Sequence, residues 1–132
     1  MTKTILFVCQ GNSIRSIIAE AAFNHFCRKN YIAKSAGTLP IHRIDDKTRQ
    51  VLKEEKIQLN KEVPTPLKYE EIASAYRLVL MNENIPNFPV MIPKEMIIQW
   101  QIGEVVGKPI EEFRKARDHI ISNVKELIKK LK

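Results

Sequence analysis

The chain has 132 residues, of which 44% are hydrophobic and 28% are charged. These values are typical of a globular protein and exclude a disordered, collagen-like or low-complexity chain. At this length one domain, residues 1–132, can bury about two-thirds of the surface of its unfolded chain.

The net charge of +7 would suit a nucleic acid, an anionic membrane or a small anion. Basic and acidic residues are mixed along the chain, and the densest basic cluster comprises Lys125, Lys129, Lys130 and Lys132. It falls in the last turns of a predicted helix, where cations suit the helix dipole. Aromatic residues, at 7%, do not interleave with the basic ones as a stacking platform requires. We therefore expect no nucleic-acid partner, and we expect the positive electrostatic field of the chain to favour anionic substrates.

Apolar periodicity predicts short strands that alternate with helices. The predicted strands span residues 4–8, 31–34, 76–81 and 96–100. The predicted helices span residues 13–28, 46–56, 69–74 and a long stretch from Pro109 to Leu131. On the first helix Ala19, Ala22 and Phe23 share a face, which predicts that Glu20 lies on the polar side. The alternation indicates an α/β fold with a small four-stranded parallel sheet and helices on both faces.

The cysteines and the N-terminal apolar run indicate the compartment. Cys9 and Cys27 are too few for a disulfide framework and indicate thiols in a reducing environment. Residues 5–8 form an apolar run that is too short for a signal peptide or a membrane span. We expect a cytoplasmic protein with no membrane partner, as a monomer or a weak dimer.

The loop after the first strand reads Cys-Gln-Gly-Asn-Ser-Ile-Arg-Ser over residues 9–16. In parallel sheets ligands bind beyond the carboxyl ends of the strands, and this loop lies there. As a strand-to-helix turn, its backbone N–H groups would form a nest for a tetrahedral oxyanion such as phosphate. The predicted phosphate-binding residues are Gln10, Gly11, Asn12, Ser13, Ile14 and Arg15.

Three side chains of this loop point to covalent chemistry. Cys9 would lie at the centre of the nest, where the positive field favours a thiolate that attacks phosphorus. Arg15 can clamp two oxygens at once, and Ser16 can donate to the sulfur when it leaves. A Cys-x5-Arg spacing alone is a weak signal. The alternative is that Cys9 is a buried strand-end thiol and Arg15 a surface residue.

The strand, the Cys-x-Gly-Asn-x-x-Arg-Ser loop and the helix together resemble the low-molecular-weight protein tyrosine phosphatases and the thioredoxin-coupled arsenate reductases that share their fold. The resemblance continues in Ser35-Ala36-Gly37-Thr38, in residues 78–81 and from Trp100 into the last helix. It implies a phosphotyrosine protein phosphatase I-like fold. It also implies that Cys9 is the nucleophile, Arg15 the phosphate clamp, Asn12 the brace of the loop and Ser16 the partner of the thiolate.

The chain departs from the phosphatases at the general acid. The family places this acid in an Asp-Pro pair before the last helix, and residues 100–107 contain no such pair. Glu104 is the carboxylate nearest the expected place, so we predict that it acts as acid and then as base. The alternative is a solvated loop residue. Asp118 is a poorer candidate because it lies well inside the predicted final helix.

The chain also departs from the arsenate reductases, which need two further cysteines around the end of the third strand. Residues 81–88 contain none, and Cys27 lies on the first helix, where we expect a core or boundary residue. An internal disulfide relay is therefore not expected.

These observations favour a cofactor-free, metal-independent phosphatase acting on a phosphotyrosine protein or a small aryl phosphate through a phosphocysteine. His25, His42 and His119 lack metal-ligand spacing. Inorganic phosphate or arsenate is the expected small ligand. Two alternatives remain: an arsenate reductase that uses an external thiol, and a non-catalytic phosphate- or phosphotyrosine-binding module.

Overall fold

The computed structural model describes residues 1–83 and 92–132. Within these ranges the strands are β1 (Lys3–Cys9), β2 (Tyr31–Gly37), β3 (Arg77–Met81) and β4 (Ile97–Trp100), all parallel. The helices are α1 (Arg15–Phe26), α2 (Asp46–Glu54), α3 (Tyr69–Ser74) and α4 (Ile110–Lys130), with a short 3-10 helix, Lys94–Met96, before β4. The predicted α/β class with a small four-stranded parallel sheet is confirmed.

The strand order β2-β1-β3-β4 places β1 inside the sheet. Ile5 and Phe7 of β1 belong to one hydrophobic core, and Leu6 and Val8 belong to a second one on the opposite face. Because both faces of β1 are covered, its sequence is a continuous apolar run rather than an alternating one.

Helices cover both faces of the sheet, as predicted. The larger core packs Phe7 against side chains of α1, α2 and α4, including Phe23, Leu52 and Phe113. The smaller core packs the other face of the strands against Ile72 of α3. No helix in the described ranges is long and apolar enough to cross a membrane.

The predicted end of β2 was wrong. The Ser-Ala-Gly sequence that indicates a turn after residue 34 is the end of the strand, which continues to Gly37. β2 pairs with β1 without interruption from Lys3–Tyr31 to Cys9–Gly37. Pairing with an interior strand therefore overrides the local turn propensity.

Helix boundaries differ from the predicted ones by a few residues. α1 begins at Arg15, two residues after the predicted start, and ends at Phe26. α2 ends at Glu54 because Lys56 adopts a left-handed backbone with φ +57°. α4 begins directly after Pro109, as predicted, and its buried residues recur every three or four positions. Within the helix, the apolar ones are Phe113, Ala116, Ile120, Val124 and Leu127.

A group of charges joins α2 to α4. The Glu54 carboxylate accepts hydrogen bonds from Arg114 Nη2 at 2.7 Å and from Arg117 Nη1 at 2.7 Å. Arg117 is almost fully buried and also donates to the Val51 carbonyl at 3.0 Å. These contacts, first among them the hydrogen bond to Arg114, lower the pKa of Glu54 to about 2.

We predict that Glu54→Gln lowers the melting temperature by a few degrees at neutral pH. The folded-state pKa of Glu54 lies below its unfolded value, so its contribution is present above the unfolded pKa of 4.5 and is lost as the pH falls towards about 2. The difference between wild type and Glu54→Gln should therefore shrink over that range in thermal melts. Glu62→Gln, at an exposed ion pair with Arg49, is the control and should change little. A constant difference at all pH values would contradict the assignment.

Candidate active site

The loop over residues 10–14 joins β1 to α1 at the carboxyl edge of the sheet. The strands after β1 lie on either side of it, with β2 on one side and β3 on the other. The loop therefore occupies the point where the strand order reverses, which is the ligand-binding position in open α/β sheets.

Hydrogen bonds from the segment after β2 fix the direction of the loop peptides. The carbonyl groups of Cys9, Gln10 and Gly11 accept from the N–H groups of Thr38, Leu39 and Ile41 at 3.1, 2.9 and 3.1 Å. In a trans peptide the carbonyl and the following N–H point in opposite directions. The N–H groups of residues 10–12 therefore point away from that segment. Among residues 1–83 and 92–132, no acceptor binds an N–H group of residues 10–14. The loop thus presents a row of amide donors suited to an anion.

Arg15 is the first residue of α1, and its guanidinium is buried at the same place. Its Nη1 donates to the carbonyls of Met81 and Ile102, at 3.1 and 3.2 Å, and its Nη2 donates to Glu104 Oε2 at 2.9 Å. Its Nε is buried and has no hydrogen-bond partner among the described residues. A buried, unpaired N–H is costly, and a bound oxyanion would satisfy it.

A chain of hydrogen bonds supports the Cys9 sulfur. Asn12, with a left-handed φ of +50°, donates from Nδ2 to Ser16 Oγ at 2.7 Å. Ser16 Oγ lies 3.0 Å from Cys9 Sγ. Once Cys9 is a thiolate it has no proton to donate, so the Ser16 hydroxyl is then the donor of this bond. Ser16 is therefore placed to stabilise a thiolate.

Gly37 allows the loop to approach the end of β2. A Cβ atom at this position would lie 2.7 Å from the Gln10 carbonyl oxygen and 3.1 Å from Asn12 N. Both neighbours are backbone atoms, so neither can move without changing the loop.

A pocket of about 290 Å³ opens above the loop. Its floor includes Cys9 and Arg15, and Glu104 forms part of its wall. The rim is aliphatic: Leu39, Ile41 and Val106, also among the lining residues, are 67, 47 and 60% exposed. The charged floor and apolar rim suit an anionic group attached to an apolar body.

Glu104 is held by both carboxylate oxygens. Oε2 pairs with Arg15, while Oε1 accepts from the N–H groups of Val105 and Val106 at 2.9 and 3.2 Å. The carboxylate is therefore fixed at the pocket wall although its side chain is partly exposed.

The structure brings most of the predicted site residues together. Members that line the pocket are Cys9, Gln10, Gly11, Ser13, Ile14, Arg15 and Glu104. Asn12 and Ser16 are fully buried and support the sulfur by hydrogen bonds. The Ser13 hydroxyl is used to hold a neighbouring segment: it donates to the Arg43 carbonyl at 3.0 Å and accepts from Asp45 N at 2.9 Å.

Other predicted residues lie elsewhere. Asp118 pairs with Arg117 on α4, and Cys27 caps the other end of α1, where its sulfur lies near the Lys29 carbonyl. In the segment where reductases carry their further cysteines, residues 84–88 lie outside the described residues, although their sequence contains no cysteine.

Sequence reasoning missed two charged residues behind the loop, the buried Glu20 and the half-buried Lys61. Glu20, expected on the polar side of α1, is buried and accepts from the Ser35 hydroxyl. Lys61 donates to Asn12 Oδ1 at 3.1 Å. A signal for Glu20 was its place among Ala19, Ala21 and Ala22; Lys61 lies outside any motif.

Comparisons with known proteins agree with this geometry. The family model described as low molecular weight phosphotyrosine protein phosphatase matches residues 4–132. Arsenate reductase of Staphylococcus aureus (strain Newman) is 30% identical over 122 residues, which are 89% of this chain and 90% of that protein.

Two solved structures are similar along nearly their whole length. The low molecular weight protein tyrosine phosphatase from T. tengcongensis has a TM-score of 0.88 at 25% identity and covers 98% of this chain and 100% of its own. The arginine phosphatase YwlE from Geobacillus stearothermophilus has a TM-score of 0.85 at 28% identity, with 97% and 92% covered.

We predict that Gly37→Ala weakens the binding of inorganic phosphate by about tenfold or more, because the added Cβ displaces the amide row. Isothermal titration calorimetry on the folded variant measures this. Gly103→Ala is the matched control, since a Cβ there meets no atom within 4 Å. Equal phosphate affinity for wild type and Gly37→Ala would show that the close approach is unimportant for the loop.

Proposed function

This chain belongs to the low molecular weight phosphotyrosine protein phosphatase family, and we propose that it hydrolyses aryl phosphate monoesters, phosphotyrosine in proteins among them, through a phosphocysteine on Cys9. The observation that carries the proposal is a pocket lined by Cys9 and Arg15, where the buried Arg15 Nε and the N–H groups of residues 10–14 have no hydrogen-bond partner within residues 1–83 and 92–132. This set of donors matches the charge and shape of a phosphoryl group.

In the first step the Cys9 thiolate attacks phosphorus, so that a P–S bond forms and the bond from phosphorus to the ester oxygen breaks. The loop amides and Arg15 stabilise the charge on the three non-reacting oxygens. For this step Glu104, at the pocket wall, must first bind a proton; the neutral carboxyl group then donates it to the leaving phenolate oxygen, and the phenol departs.

In the second step water attacks the phosphocysteine, and Glu104 accepts the proton of that water. The P–S bond breaks, inorganic phosphate leaves, and the thiolate is restored. Ser16 supports both steps because its hydroxyl proton is directed at the sulfur when the sulfur carries charge.

The aliphatic rim supports an aryl substrate. Leu39, Ile41 and Val106 present exposed apolar surface around the pocket mouth. The faces of an aromatic ring would cover part of this surface while the phosphate reaches the floor.

A second candidate is arsenate reduction with an external thiol, favoured by the relative named arsenate reductase. Arsenate would bind Cys9 as phosphate does, with loss of water. An external thiol then attacks the Cys9 sulfur; a mixed disulfide forms, the electron pair of the S–As bond passes to arsenic, and arsenite leaves. A second external thiol reduces the mixed disulfide. Cys27 cannot take the place of the external thiol, because α1, with 12 residues, separates it from the Cys9 loop by roughly 18 Å.

We predict that Cys9→Ser lowers the hydrolysis of p-nitrophenyl phosphate by at least about a thousandfold, because a serine hydroxyl is a far weaker nucleophile here. Cys27→Ser is the matched control and should keep wild-type activity. Phosphoarginine and arsenate with a dithiol are assayed alongside. Equal rates for wild type and Cys9→Ser would refute the mechanism. Thiol-dependent arsenite formation without ester hydrolysis favours the second candidate, and tight phosphate binding with no turnover indicates a non-catalytic module.

We predict that Glu104→Gln lowers the rate of ester hydrolysis but strengthens the binding of phosphate. The kcat for phosphotyrosine should fall about a hundredfold, and less for p-nitrophenyl phosphate, whose leaving group needs little proton donation. Phosphate should inhibit more tightly, because Glu104 no longer competes as an anion for Arg15 Nη2. Steady-state kinetics with both esters and phosphate as inhibitor measures each effect. An equal fall for the two esters would show that Glu104 is not the acid.

A further inference from the structure

Lys61 lies behind the loop, in the connection from α2 to α3, and its ammonium group is surrounded by oxygen atoms. Nζ donates to Asn12 Oδ1 at 3.1 Å, to the Ser35 carbonyl at 2.7 Å and to Thr65 Oγ1 at 2.7 Å. All three ammonium protons therefore have an acceptor, and the mechanism above uses none of them.

These contacts determine the orientation of the Asn12 amide. Its Oδ1 accepts from Lys61 Nζ and also from Thr65 N at 2.9 Å. With the oxygen held on that side, Nδ2 can only point to Ser16. When Cys9 is a thiolate, the Ser16 hydroxyl donates to its sulfur. From Lys61 to the sulfur, each donor in the series is directed towards Cys9, so the hydrogen bonds polarise one another.

The position of Lys61 is maintained at a cost in solvation. Burial lowers the pKa of Lys61, and the charges of Glu20, Glu71 and Cys9 oppose that change. Burial also raises the pKa of Glu20, opposed by its hydrogen bond from Ser35 and by Lys61.

We propose that Lys61 is a positioning residue for Cys9. It locks the Asn12 amide so that Ser16 donates to the sulfur, and its positive charge stabilises the thiolate through this hydrogen-bonded series. The inference rests on the proposed nucleophile. Arg15 and the loop amides then do not activate the nucleophile alone, and Lys61 contributes to its activation.

Several other charged groups face the same region, and the variants that test the proposal must leave them unchanged. Towards Cys9 they are Arg15 on α1 and Glu104 after β4. Towards Lys61 they are Glu20 on α1 and Glu71 on α3, and Lys34 on β2 acts on Glu20.

The test measures the rate at which iodoacetamide alkylates each cysteine as a function of pH, by mass spectrometry of the intact folded chain. Alkylation requires no substrate and no turnover, so its outcome is independent of whether the ester is hydrolysed. Cys27, at the opposite end of α1 from the loop, is the internal reference in the same spectra.

In Lys61→Met we expect the pH midpoint of Cys9 alkylation to rise by about one unit, a loss of about tenfold in rate below the midpoint. Lys61→Gln keeps an N–H donor without the charge and should shift in the same direction, and it carries the test if Lys61→Met does not fold. Lys61→Arg should restore most of the wild-type profile. Lys53→Met, at an exposed lysine of α2, is the matched control and should leave it unchanged.

An unchanged Cys9 profile in a folded Lys61→Gln or Lys61→Met protein would overturn the proposal and leave Lys61 a structural role only. A purely structural role would instead lower the melting temperature and the phosphate affinity without moving the alkylation midpoint. A parallel shift of Cys27 would also overturn it, because the effect would then not be specific to the loop.

Discussion

Three carbonyl groups of the loop, those of Cys9, Gln10 and Gly11, are held from one side by the backbone that follows β2. This single constraint turns the corresponding N–H groups the other way, where they meet no acceptor among the described residues. Peptide groups that diverge in this manner give a local positive potential without any charged side chain. The Cys9 sulfur, the Arg15 guanidinium and the Glu104 carboxylate surround this region of positive potential. Their roles in anion chemistry depend on it.

The constraint is satisfied by residues far apart in the chain. Gly37 leaves space for the loop, and Asn12 accepts the left-handed conformation that the tight turn requires. Behind them, Lys61 and Thr65 bind the Asn12 oxygen. The conformation of the loop therefore depends on the end of β2 and on the α2–α3 connection as much as on residues 10–14 themselves.

Sequence reasoning predicted the parts of the molecule in which local pattern and tertiary structure agree. The apolar run of β1 and the spacing on α4 could be read directly, and so could the loop, because Cys9 and Arg15 stand between a strand and a helix. The end of β2 was misplaced because pairing with β1 outweighs turn propensity. The burial of Glu20 and the contacts of Lys61 depend on the packing of the α2–α3 connection behind the loop, which neither periodicity nor a motif reports. The role of Glu104 as acid remains a prediction, although its place at the pocket wall could be anticipated.

The nitrogens of Arg15 are engaged in different directions. Nη1 donates to the Met81 carbonyl at the end of β3 and to the Ile102 carbonyl just after β4, and Nη2 donates to the Glu104 carboxylate. Nε is buried and has no partner among the described residues. A lysine would present its donors from a single nitrogen and could not reach groups in these separate directions as the planar guanidinium does. Arg15 thus connects the β4 edge of the sheet with the anion that the loop binds. The affinity for the anion and the stability of that edge should therefore rise or fall together.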